Sequence, residues 1–137
     1  MGVKIADVMS TNVVVAQPHF TVAQVRTLLQ NSGLRSVPVV DHDHEVLGVV
    51  SARDLLGDES DGQPVSKVMS EHVLAIPQYN DVSQAARTMR NHKIHHLIVT
   101  HEKKLVGVLS SFDLLQLVEG RRFEMKNKGT PKKKSRD

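Results

Sequence analysis

Two stretches of the chain place apolar residues at helical spacing. Val22, Val25, Leu28 and Leu29 fall on one face of a helix, as do Val82, Ala85, Ala86 and Met89, with polar residues between them. Each stretch begins at a capping signal, Thr21 with Gln24 three residues on and Asp81 with Gln84, which satisfies unpaired N–H groups of a first turn. Ser32-Gly33 ends the first helix. The pattern then changes to short β-prone runs, residues 37–40 and 46–50, separated by polar residues 41–45, which predicts an antiparallel hairpin with a solvated loop. His101-Glu102-Lys103-Lys104 is the matching loop further on.

The match extends along the chain as an internal repeat of about sixty residues. Val8-Met9-Ser10 recurs as Val68-Met69-Ser70, each followed by a β-prone run and a proline, Pro18 or Pro77. Leu34-Arg35-Ser36-Val37-Pro38-Val39-Val40 matches Ile94-His95-His96-Leu97-Ile98-Val99-Thr100, and Leu47-Gly48-Val49-Val50-Ser51-Ala52-Arg53-Asp54 matches Val106-Gly107-Val108-Leu109-Ser110-Ser111-Phe112-Asp113. Each unit reads as strand, helix, strand, strand, helix, an α/β (α+β) arrangement. A unit of that size leaves much of its apolar surface in water, so the two should pack sheet to sheet with pseudo-twofold symmetry. The boundaries read as 3–57 for the first repeat, 58–63 for a Gly- and Asp-rich linker, 64–120 for the second repeat and 121–137 for a tail.

Composition narrows the chemistry. At 137 residues the chain holds one ordinary domain or two small ones sharing a core. No cysteine is present, which removes disulfides, thiolate metal sites and cysteine nucleophiles and fits a reducing, cytoplasmic setting. No apolar run approaches the length of a membrane span. The net charge of +3 comes from the tail, where residues 121–137 carry eight basic side chains against two acidic ones. Residues 1–120, with ten basic and thirteen acidic groups, are mildly acidic.

The doubled pattern of Val-Met-Ser, Ser36-Val37-Pro38-Val39-Val40 and Gly48-Val49-Val50-Ser51-Ala52-Arg53-Asp54 resembles a tandem pair of cystathionine β-synthase (CBS) domains over residues 3 to about 119. The resemblance implies two clefts between the halves for adenosine ligands such as AMP, ADP, ATP or S-adenosylmethionine, and a homodimer formed through helices. Within it, Gly48 and Gly107 would leave the backbone bare for a flat ligand. Ser51 and Ser110 would sit at helix N-termini suited to a phosphate. Asp54 and Asp113 would accept two hydrogen bonds from a ribose diol. Ser-x-x-Asp at a helix start is also a plain capping arrangement, and both readings stand.

In the family, cationic partners for phosphate often come from just ahead of the Pro-Val strand, which implies Arg35 and Ser36 in one cleft and His95 and His96 in the other. Arg53, beside Asp54, could add a second charge, but its counterpart is Phe112, so the clefts are unequal. Many members have arginine where this chain has Ser36 and His96, which favours AMP- or adenosine-like ligands over polyphosphates.

Rival readings are weaker. His92-x-x-His95-His96, His101 and the His42-Asp43-His44 loop invite a metal, but a helix ending before Ile94 sends His95 and His96 to opposite faces of a strand, and no metal site is expected. Fingerprints of dinucleotide, P-loop, serine-hydrolase and zinc-protease enzymes are absent, and repeat-related Asp54 and Asp113 lie in different clefts, so no catalysis is expected. The predicted function is a stand-alone regulatory sensor of an adenosine nucleotide, passing its signal to a separate protein. Leu55, Leu56, Leu114, Leu115, Leu117 and Val118 are candidates for the dimer face. The alternative is a dimeric scaffold with degenerate clefts, its basic and disordered tail offering contact to nucleic acid.

Overall fold

The computed structural model describes residues 2–57 and 60–119. The first helix, α1 (Val22–Ser32), opens on Thr21, whose hydroxyl accepts the Gln24 N–H at 3.1 Å while Gln24 Oε1 accepts the Thr21 N–H at 2.8 Å. It stops on Gly33 at φ 72°, with the Gly33 N–H returning to the Leu29 carbonyl. Strands β1 (Ser36–Val40) and β2 (Val46–Ser51) then form an antiparallel pair.

The second repeat keeps the same order. β3 (Ala75–Pro77) leads to α2 (Val82–His92), then β4 (His96–His101), β5 (Lys104–Ser110) and α3 (Ser111–Glu119). β3 runs parallel to β4, and β4 antiparallel to β5. α2 ends on Lys93 in the same left-handed turn, φ 55°, although no glycine marks the stop. The hairpin loop between β4 and β5 is tighter than residues 101–104. His101 and Lys104 pair across the strands, leaving Glu102 and Lys103, both at positive φ (51° and 73°), as a two-residue turn of the kind that suits strand twist.

The first repeat lacks two of its expected elements. Its opening strand is reduced to one parallel bridge between Ala16 and Val39. Its closing helix is a single 3-10 turn, Arg53–Leu55, against the nine residues of α3. The cause is local, since Gly57 comes directly after Leu56, whereas Leu114-Leu115-Gln116-Leu117-Val118-Glu119 runs on without a breaker.

The opening segments of the two repeats change places. The 3-10 turn Ile5–Asp7 binds to the second repeat, with Ile5 N–H on the Asn80 carbonyl and Ala6 N–H on that of Gln78. Ile5 is buried there with Ile76, Ala85, Met89, Leu97, Val99 and Leu109. Reciprocally, Val65 of the 3-10 turn Val65–Lys67 donates its N–H to the Phe20 carbonyl and lies in the first core with Ala16, Val25, Leu29, Val37, Val39 and Val50. The two cores correspond residue for residue, Val25 with Ala85, Leu29 with Met89, Val37 with Leu97 and Val39 with Val99. A third cluster, Val40, Ile98 and Leu105 with Val13, Val46, Val49 and Val73 against it, joins the sheets. Their edges meet at Glu45 and Lys104.

Candidate functional site

Each repeat ends its hairpin in a corner of the same construction. In the first, Ser51 closes β2 opposite Ser36, and the Ala52 N–H donates to the Arg35 carbonyl at 2.8 Å. The Ser51 N–H donates to Asp54 Oδ2 at 2.9 Å, and the Asp54 N–H to Ser51 Oγ at 3.2 Å. In the second, Ser110 lies opposite His96, and the Ser111 N–H donates to the His95 carbonyl at 2.8 Å. The Ser110 N–H donates to Asp113 Oδ2 at 2.9 Å, and the Asp113 N–H to Ser110 Oγ at 3.0 Å. The capping role of Ser-x-x-Asp is therefore present twice. It occupies only Oδ2, and Oδ1 of each carboxylate has no protein donor among the described residues. Four residues of each corner sit together: Arg35, Ser36, Ser51 and Asp54, then His95, His96, Ser110 and Asp113.

A third wall comes from the exchanged segments. Ser70 and Val49 trade both backbone hydrogen bonds, at 2.8 and 2.9 Å, and Ser10 and Val108 do the same at 2.9 Å. The glycines are explained by this crossing. A Cβ on Gly48 would stand 2.6 Å from the Ser70 carbonyl oxygen and 2.9 Å from Met69 Sδ, and one on Gly107 would stand 2.7 Å from both Ser10 O and Met9 Sδ. The backbone expected to lie bare for a flat ligand is thus covered by Val-Met-Ser, the piece the sequence marked only as a repeat signature. Ser10 and Ser70, which sequence reasoning did not single out, are the residues that cross the strands beside the two corners. Their recurrence in Val-Met-Ser was visible in the sequence, but not the strand glycine each one crosses.

The corners differ in charge. Arg35 and Arg53 are exposed and enter no ion pair among the described residues. His95 Nδ1 lies 3.3 Å from Ser111 Oγ, and His95 lines an open groove of about 380 Å³ between α2 and α3 with Arg90, Lys93 and Ile94. His96 is exposed, and Phe112, the counterpart of Arg53, is 77% exposed. A second open groove, about 350 Å³, runs along the seam between repeats, lined by Glu45, Leu47, Glu71, Val73, Thr100 and Lys103.

Of the candidate dimer-face residues, Leu55 is 4% exposed and belongs to the first core, so it is not available to a second copy. Leu114 packs on the second core, while Leu56, Leu115 and Val118 are exposed. His92 Nδ1 contacts the Thr88 carbonyl at 3.0 Å, and among the described residues no three His, Cys, Asp or Glu side chains gather to hold a metal ion. No described helix is long and apolar enough to cross a membrane. The tail 121–137 lies outside the described residues.

Known proteins resemble this chain in sequence and fold. The chain is 30% identical over 118 residues to an uncharacterized 17.7 kDa protein of Acidianus ambivalens, covering 83% of this chain and 72% of that one. It is 32% identical over 108 residues to the inosine-5'-monophosphate dehydrogenase of Halobacterium salinarum, where the match takes in 77% of this chain but 22% of the enzyme. The solved structure of CBSX2 in complex with AMP superposes with a TM-score of 0.78 at 25% identity, over 86% of this chain and 97% of that one. The family model of the CBS domain matches residues 5–60 and again residues 65–120. Those two consecutive matches, on a fold whose cores repeat residue for residue, establish that the chain belongs to the CBS domain family as a tandem pair.

Proposed function

We propose that the chain is a regulatory module that binds an adenosine nucleotide in the corners between its repeats. The observation that carries this reading is the duplicated corner, a carboxylate held by its serine through Oδ2 alone, leaving Oδ1 for a ribose hydroxyl. The likeness to CBSX2, solved with AMP, supports the ligand class. In the proposed site Asp54 and Asp113 hold ribose, Ser51 and Ser110 face the attached phosphate, and Arg35, Ser36, Arg53, His95 and His96 rim the anion. Gly48 and Gly107 allow the crossing segments to close the third wall.

A ligand there touches strands of one repeat and the segment leading into the other. It therefore favours one angle between the halves, which is the differential affinity that regulation requires. The response passes to a separate partner, and α3, with Leu115 and Val118 exposed, is the proposed contact between two copies. No turnover is proposed, since Asp54 and Asp113 stand in separate corners.

Thermal-shift titration with AMP, ADP, ATP and S-adenosylmethionine tests the reading. Binding at a hundredfold excess over Kd stabilises by about 2.7 kcal/mol, and Asp54→Ala with Asp113→Ala should abolish the gain. No shift with any of the four leaves only a symmetric scaffold.

A further inference from the structure

We propose that the two corners discriminate by charge: the Asp54 corner takes an adenosine ligand bearing a phosphate dianion, and the Asp113 corner takes one without a phosphate. This rests on the adenosine reading above and assigns a ligand class to each half of it. At the Asp54 corner two arginines adjoin the serine from separate pieces of chain, one ahead of β1 and one after β2. Arg35 is tied to Ala52 through its carbonyl, and Arg53 directly precedes Asp54. Both side chains are exposed, and neither is neutralised by a carboxylate of the described residues. A guanidinium carries its charge at every working pH and can meet phosphate with two parallel N–H donors.

The Asp113 corner offers no such pair. The place of Arg35 is taken by His95, which is drawn towards Ser111 Oγ and lines the groove between α2 and α3. Arg90 and Lys93, from the last turn of α2 and its cap, line that same groove, but neither occupies the position matching Arg35 or Arg53. The place of Arg53 is taken by Phe112, an exposed ring that adds apolar surface and no charge. His96 remains, a single imidazole. The N-terminus of α3 partly offsets this, but its partial charge is less than that of one guanidinium.

Calorimetric titration of the full chain with AMP and with adenosine, on matched variants, tests the assignment. In Asp113→Ala, which leaves the first corner, AMP should bind at least about tenfold more tightly than adenosine, as expected for charge-assisted hydrogen bonds. Arg35→Gln with Arg53→Gln should erase that difference, the affinity for AMP falling to that for adenosine. In Asp54→Ala, which leaves the second corner, AMP should bind no more tightly than adenosine, and adding His96→Arg should create a preference for AMP. Because each aspartate also caps its turn, the arginine pair is tested in the otherwise unaltered chain as well. Both arginines are exposed, and their replacement should remove one class of AMP site without lowering the melting temperature. Equal preference for AMP at both corners, or a preference that survives loss of both arginines, overturns the assignment while the adenosine reading stands. Failure of both compounds to bind the unaltered chain overturns that reading too.

Discussion

Gly48 and Gly107 show how a single residue can be legible in sequence for the wrong reason. Each was visible as a glycine between apolar strand residues, a mark of close backbone approach. What approaches, however, is a segment remote along the chain, Met69-Ser70 for Gly48 and Met9-Ser10 for Gly107, and spacing cannot reveal that. By contrast Ser51 with Asp54, and Ser110 with Asp113, were legible because their hydrogen bonds close within four residues. The glycine explanation has a direct check. Gly48→Ala sets a methyl group against a backbone oxygen and a sulfur, and should cost about 1–3 kcal/mol in urea unfolding. Gly62→Ala, where a Cβ meets nothing within 4 Å, should stay within about 0.5 kcal/mol of the parent. Lys93 offers the opposite experiment. It holds the left-handed position that Gly33 fills in the first repeat, at φ 55° against 72°, so Lys93→Gly should stabilise the chain by up to about 1 kcal/mol.

Helices were the most legible elements, since caps and apolar faces are written within eleven residues. The truncated last helix of the first repeat was not. Symmetry with Leu114-Leu115 predicted it, yet the length of a helix depends on the residues beyond its first turn, and Gly57 ends the run before a second turn can form. The cap of α2 carries a pH dependence. Asp81 accepts the Ser83 N–H at 3.0 Å, and this backbone hydrogen bond, the largest influence, outweighs the opposing effect of desolvation and, with the Ser83 side chain and the charge of Lys4, holds its carboxyl below the ordinary range. A carboxylate with a depressed native pKa binds fewer protons folded than unfolded. Its contribution is therefore complete above the unfolded value, near pH 4, and fades as pH falls through the folded one. Thr21, the matching cap of α1, has no such charge. Melting temperature measured between about pH 6 and 2 should drop less steeply in Asp81→Asn than in the parent, while Thr21→Asn leaves the slope unchanged; equal slopes for Asp81→Asn and parent would contradict the cap's titration.

At the scale of the whole molecule the exchange of opening segments decides how the repeats share stability. Sequence boundaries assign each stretch of chain to one repeat or the other, because repeats are recognised by order along the chain and not by which core each piece enters. In space, neither core is complete without residues from the far side of the linker. Ile5 and Val65, both with no exposed surface, each fill the core of the repeat they do not precede in the pattern. Removing a buried methylene leaves a cavity that close-packed neighbours cannot collapse to fill, so Ile5→Ala should cost about 2–5 kcal/mol and Val65→Ala about 2 kcal/mol. The informative part is where the loss registers. If the halves are one cooperative body, each variant should unfold in a single transition with an unchanged urea slope, as probed together by circular dichroism and by hydrogen exchange in both cores. A chain begun at residue 11 should then lose protection at Val25 and Leu29 as well as at Ala85 and Met89. Protection retained in the first core of that shortened chain would mean that the repeats fold separately, and a ligand held in one corner would have no packed route to the other.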